Sequence, residues 1–290
     1  MRTRGSQALV ALRGAIAPFF PRGAPLRCGC EMSLLLMVFA LFLASGASAV
    51  ELEERRIEYL NGDVEVPALL LLPKTPGPHA AVLFIHGRSG LNDRVQAEAR
   101  RLAARGFALL APDYHTGRFI PDMPVPHDPD TEKDVERGLD YLKTVPGVRA
   151  EKIAVVGLSR GGYHAVLLAV RRPEVVGMVG YYPHLASPNA PEPVQVYGYM
   201  PEVEQWRVPA LLMVGDQDHQ LRREQVVRVA ERLKERGVPV ELVVYPGAQR
   251  AFDFRRNTRT VGDDLAREDA LNRTVRFLNR VLATKGRERE

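Results

Sequence analysis

The sequence predicts an α/β domain: a mostly parallel sheet with helices on both faces. Three observations carry this. From Val50 onward, short β-branched apolar runs alternate with stretches of helical periodicity, the pattern of strand–helix–strand units. The run Lys152-Ile153-Ala154-Val155-Val156 leads directly into Gly157-Leu158-Ser159-Arg160-Gly161, a G-x-S-x-G sequence between a strand pattern and a helix pattern. A chain of 290 residues with 46% hydrophobic content is long enough to bury one large core, and neither an internal repeat nor an inter-domain linker interrupts it.

Residues 1–49 read as a leader. Ser33 to Leu43 is an apolar run followed by Ala44 to Ala49, the pattern of a secretory signal peptide cleaved after Ala47-Ser48-Ala49. The run is shorter than the roughly 20 apolar residues that span a bilayer. Met32 stands immediately before it, a second candidate start. Five arginines against Glu31 place +4 of the +5 formal charge in the leader, leaving 35 − 34 = +1 for residues 50–290. That balance gives no support to nucleic-acid or membrane-surface binding by the mature chain. Both cysteines, Cys28 and Cys30, also fall in the leader. The mature chain therefore has no disulfide, thiolate nucleophile or cysteine metal site, as suits a periplasmic or secreted protein.

The mature domain, residues 50–290, opens differently from the rest. Glu54 to Leu60, the turn Asn61-Gly62-Asp63 and Val64 to Leu72 predict an antiparallel hairpin. After a Pro73–Pro78 loop, Ala80 to Ile85 is continuously apolar, as a buried central strand should be. A helix follows from Arg94 to Arg105, stopped by Gly106, then a strand from Phe107 to Tyr114. Beyond a proline-rich loop carrying His115 and His127, Thr131 and Asp134 have the spacing of a capping box and open a helix to Thr144. The G-x-S-x-G strand and the helix Tyr163–Val170 come next. The remainder is a strand Val175–Tyr182, a loop from Pro183 to Met200, a strand Pro209–Gly215, a helix Arg222–Arg236, a strand Val238–Tyr245 and a closing helix Asp263–Leu282. In the last helix Leu265, Ala270, Leu271, Val275, Leu278 and Leu282 supply the apolar face.

Ser159 is the candidate nucleophile. Glycines 157 and 161 allow a fast strand-to-helix turn that leaves the hydroxyl exposed, and the amides opening the next helix face a reacting oxygen. Asp218, just after the Leu211–Val214 strand, is the candidate acid, with Asp216 second; an acid there also suits a helix cap.

At this point the chain resembles the dienelactone hydrolase family of α/β-hydrolases. The likeness runs from about Val64 to Leu282. It rests on Phe84 to Asn92, Ala111-Pro112-Asp113-Tyr114, the Ser159 elbow, Gly215 to Asp218, and Tyr245-Pro246-Gly247-Ala248 before Phe252. The resemblance implies an α/β-hydrolase fold, hydrolysis of a small-molecule ester or lactone without metal or cofactor, and oxyanion donors at the backbone N–H groups of Arg160 and Arg88. His86 would shape the oxyanion segment. Two departures matter. Family members often carry cysteine in the nucleophile slot, where this chain has Ser159. The catalytic histidine expected two residues after Tyr-Pro-Gly-Ala is replaced by Arg250.

An arginine stays protonated at any ordinary pH and cannot accept the serine proton. Loss of a triad histidine costs on the order of 10⁶ in turnover. His219 and His184 are the candidate substitute bases; the alternative for each is a solvated loop histidine. Two functions from different classes follow: a hydrolase, impaired by Arg250, or an exported inactive module that binds an anionic small molecule through its arginines.

Overall fold

The computed structural model describes residues 49–191, 194–255 and 257–283. The leader expectation therefore falls outside the described residues, apart from Ala49. Eight strands form one sheet in the order β1-β2-β4-β3-β5-β6-β7-β8. They are β1 (Leu52–Asn61), β2 (Val64–Pro73), β3 (His79–Ile85), β4 (Phe107–Pro112), β5 (Val148–Leu158), β6 (Val175–Tyr181), β7 (Ala210–Gly215) and β8 (Val240–Tyr245). The β1–β2 and β2–β4 pairs are antiparallel, and every pair from β4 through β8 is parallel. Helices cover both faces: α1 (Asp93–Ala103), α2 (Thr131–Thr144), α3 (Gly161–Arg171), the single turn α4 (Val194–Tyr197), α5 (Gln220–Glu235) and α6 (Val261–Leu282).

The central strands are apolar on both faces because both faces are covered. Leu83, Ile85, Val155, Val156, Val179 and Leu212 are fully buried. Each such side chain contributes roughly 1.5–3 kcal/mol relative to exposure. β1, at one edge, is largely exposed and charged along Glu53 to Arg56, which blunts an otherwise sticky sheet margin.

Local chemistry departs from the sequence reading at four places. In the hairpin, Asn61 pairs with Val64, so the loop is the two residues Gly62 and Asp63, not the three from Asn61 to Asp63. Gly62 takes φ +61°, as a II′ turn asks of its first central residue. Thr131 caps nothing at the start of α2; its hydroxyl donates to the Asp128 carbonyl, and the Asp134 carboxylate binds Asn61 and Arg118. The true capping box is Thr260–Asp263 at the start of α6. Leu265 belongs to the exposed face of α6, 68% accessible, while Ala266, Ala270, Leu271, Phe277 and Leu278 point inward.

Candidate functional site

The site lies beyond the C-terminal ends of β3, β5, β7 and β8, the edge where open α/β sheets bind ligands. Ser159 follows β5 and takes φ +53°. A β-carbon disfavours that left-handed region, and three hydrogen bonds hold the residue there. Its N–H donates to Tyr181 O at 3.0 Å, and its carbonyl accepts from Gly162 N at 2.9 Å and His184 N at 2.7 Å. The turn's strain thus sits on the serine itself, and neither Gly157 nor Gly161 has positive φ. The glycines serve close approach: a β-carbon on Gly161 would lie 2.2 Å from Ile85 O, and one on Gly157 2.4 Å from Gly161 O.

Asp218 and Arg250 come together with Ser159 from loops after β7 and β8. Arg250 Nη2 donates to Ser159 Oγ at 2.7 Å, and Nη1 pairs with Asp218 Oδ2 at 3.0 Å. Asp218 is buried and also accepts from the His219 N–H at 2.7 Å. The guanidinium carbon of Arg250 lies 5.4 Å from the Tyr182 ring centre, an arrangement that favours a cation. Asp216 turns elsewhere, accepting from Gly247 N at 2.8 Å. Asp253, the other acid near Arg250 in sequence, is buried and accepts from Tyr182 Oη at 2.7 Å; burial pushes its carboxyl up to about 7.

The two candidate bases fare differently. His219 sits exposed just before α5, with no side-chain contact to Ser159. His184 is buried beside the elbow, its Nδ1 2.5 Å from Arg222 Nη1. Burial first, then the positive charges of Arg222, Arg160, Arg250 and Arg88, drive the His184 ring down to about 3. Arg222, in the first turn of α5, was not singled out from sequence. The one available signal was its place four residues after Asp218, at the same edge of the sheet.

Among the described residues, no acceptor meets the backbone N–H of Arg160 or Arg88. The Arg160 guanidinium is spent on structure, donating to Pro126 O and Val125 O at 2.9 Å each. Burial and the neighbouring Arg88 charge lower it to about 10. His86 is fully buried and stacks on Tyr114 at 4.0 Å, while Tyr114 Oη donates to its carbonyl at 2.7 Å. These contacts fix the chain just before Gly87 and Arg88. Tyr114 also packs on buried His115 and His164, with ring centres 4.9 and 4.8 Å from its own, and buried His127 lies 5.4 Å from His164. Arg250 alone binds Ser159 and Asp218, while the charges of Arg222, Arg160 and Arg88 act with it on neighbouring His184, a setting that favours negative charge. No group of three or more His, Cys, Asp or Glu among the described residues is arranged to hold a metal ion.

Comparison with known proteins agrees with this architecture. The model of the Dienelactone hydrolase family matches residues 66–282. A Bradyrhizobium protein named "Probable 2-oxo-3-(5-oxofuran-2-ylidene)propanoate lactonase" is 28% identical over 228 residues, 75% of this chain and 90% of its own length. A solved structure titled "Putative Dienelactone Hydrolase", from Klebsiella pneumoniae, superposes with a TM-score of 0.64 at 21% identity, covering 79% of this chain and 98% of the other. A structure titled "Bacterial Heroin Esterase" gives 0.60 at 20% identity over 87% and 91%.

Proposed function

The chain belongs to the dienelactone hydrolase family, and from that premise we propose that it is a hydrolase of small-molecule ester or lactone bonds with Ser159 as nucleophile. The observation that carries this is the contact set of Ser159: a left-handed residue at a strand-to-helix elbow, its Oγ 2.7 Å from a group anchored on buried Asp218. Ser159 Oγ attacks the carbonyl carbon, and the backbone N–H groups of Arg160 and Arg88 receive the oxyanion. The tetrahedral intermediate collapses with cleavage of the ester or lactone C–O bond, the leaving oxygen taking a proton from solvent, and water then hydrolyses the acyl-serine to release the acid and restore the Ser159 hydroxyl.

Arg250 changes how the serine is activated. A guanidinium only donates, so it stabilises a serine alkoxide electrostatically without removing the proton. Solvent hydroxide or a water takes that proton. Turnover is accordingly slow, by up to about 10⁶ relative to an intact triad. The arginines favour substrates that carry a carboxylate beside the ester or lactone. The apolar run at residues 33–43 ahead of Ala47-Ser48-Ala49 supports an exported, periplasmic or secreted protein.

A second reading is favoured by the same Arg250 contact: an exported module that binds an anionic small molecule and does not turn it over. Fluorophosphonate labelling read at Ser159 by peptide mass spectrometry, with Arg250→His alongside, separates the two. Slow labelling of the natural sequence, accelerated in the variant, supports the hydrolase. Labelling of the variant alone supports the binding module, and silence from both overturns the assignment of Ser159 as nucleophile.

A further inference from the structure

His184 was weighed above as a base, yet its geometry gives it the opposite role. Arg222 Nη1 lies 2.5 Å from His184 Nδ1. A guanidinium has donors and no acceptor, so Nδ1 has to be the acceptor and has to carry a lone pair. In a neutral ring the proton is then on Nε2. A second proton on Nδ1 would break the Arg222 contact and place a fifth cation among Arg88, Arg160, Arg222 and Arg250.

The ring is 7% exposed, and Nε2 is buried with no hydrogen-bond partner among the described residues. A buried donor without an acceptor costs about 1–3 kcal/mol, and an orphan of this kind in a native fold calls for a partner. The backbone of the same residue is tied to the elbow, His184 N donating to Ser159 O at 2.7 Å. We propose that His184 is a ligand-binding residue: a neutral imidazole, locked by Arg222 as the Nε2–H tautomer, that donates to a carboxylate oxygen of the ligand held at the arginine cluster.

Carboxylate is the chemistry the surroundings select. It is planar, offers four lone-pair directions, and can accept from a forked guanidinium and the imidazole together. The Arg88 carbonyl accepts from Met123 N at 2.8 Å, but its guanidinium has no hydrogen bond or ion pair with protein among the described residues and can join the clamp. The inference deepens the anionic-substrate part of the proposed function and does not need Ser159 to be reactive.

The test is NMR of the full chain with ¹⁵N-labelled histidine, the His184 ring being assigned from the signal lost in His184→Gln. Glutarate is the probe and uncharged glutaramide the control. The expected result is a neutral Nε2–H ring that does not titrate between pH 5 and 8, whose Nε2–H signal moves with glutarate and not with glutaramide. His184→Phe, which removes the donor, weakens glutarate binding roughly 10- to 100-fold, as loss of a hydrogen bond to a charged group does. His184→Gln, which keeps an N–H, retains most of the affinity.

An Nδ1–H tautomer, a charged ring at pH 6, or an Nε2–H signal indifferent to glutarate overturns the proposal. The two readings fail separately. A responsive His184 beside an unlabelled Ser159 removes the hydrolase reading and leaves this one, and a labelled Ser159 beside an unresponsive His184 does the reverse.

Discussion

Acid should unfold this protein earlier than its carboxylates alone would dictate, because its buried histidines are held neutral. His115 and His184 are driven down to about 3 and His164 well below its ordinary 6.5, in each case chiefly by burial. His164 has neither ring nitrogen hydrogen-bonded. The folded value lies below the unfolded one, so above pH 6.5 the effect is absent. As pH falls below 6.5 the unfolded chain takes up protons that the native state refuses, and stability is lost until about pH 3. At pH 5 the displacement from 6.5 to about 3 costs about 2 kcal/mol each for His115 and His184, and His164 acts in the same direction.

His115 and His184 together cost about 4 kcal/mol, a large fraction of a domain's whole stability. Asp253 opposes that loss. Its carboxyl, raised to about 7 from 3.8, destabilises the fold at alkaline pH and relaxes as it protonates, returning about 2–3 kcal/mol between pH 8 and 5. The expected net loss from pH 8 to 5 is therefore about 1–2 kcal/mol from these groups, and His164 adds to it. Urea denaturation at half-unit pH steps measures it. His164→Leu should flatten the slope by up to about 1.4 kcal/mol per pH unit. Stability that is level or rising from pH 8 to 5 would refute the reasoning.

Three further outcomes can be checked. Asp253→Asn should gain on the natural protein as pH rises from 5 to 8, by about 2–3 kcal/mol; a pH-independent difference in urea midpoint counts against a neutral Asp253. Gly161→Ala forces a β-carbon against the backbone carbonyls of Ile85 and His86. It should lower Tm by about 6–12 °C, from overpacking of about 3 kcal/mol, and an unchanged melting curve would discredit the elbow packing. With no imidazole on Ser159, log kcat/KM for an anionic ester should climb with a slope near one from pH 6 to 9. Arg250→His should instead level off near pH 7, and an inflection near 7 in the natural protein would mean that a histidine is acting after all.

The strands were legible from sequence because covered parallel strands leave uninterrupted apolar runs, as in Ala80–Ile85 and Ala210–Gly215. The Ser159 elbow and the Asp218 position were legible because backbone geometry fixes both within a few residues of a strand end. What sequence could not supply was long-range pairing. Asp134 has capping-box spacing from Thr131, yet its carboxylate is taken by Asn61 and Arg118. Tertiary charge pairing overrode the local option. The reading of His184 changed for the same reason, since Arg222 lies 38 residues away and nothing local announces a contact that fixes a tautomer. The role of the elbow glycines also depended on neighbours: Gly161 abuts β3, an element 76 residues earlier at Ile85.

Arg160 joins the elbow to the loop at residues 113–129 through Val125 and Pro126, and Asn189 joins that loop to the one at 183–200. His127 N donates to Asn189 Oδ1 at 2.9 Å, and Asn189 Nδ2 donates back to His127 O at 2.7 Å. The two loops are thus latched to each other through Asn189 and to the elbow through Arg160, the residue after Ser159. A change in either loop therefore reaches the other through Asn189 and, through Arg160, the backbone that the proposed function assigns to the oxyanion. Selection for new substrates in this protein should favour paired changes in both loops over single ones, and single changes should register as lost turnover before they register as altered preference.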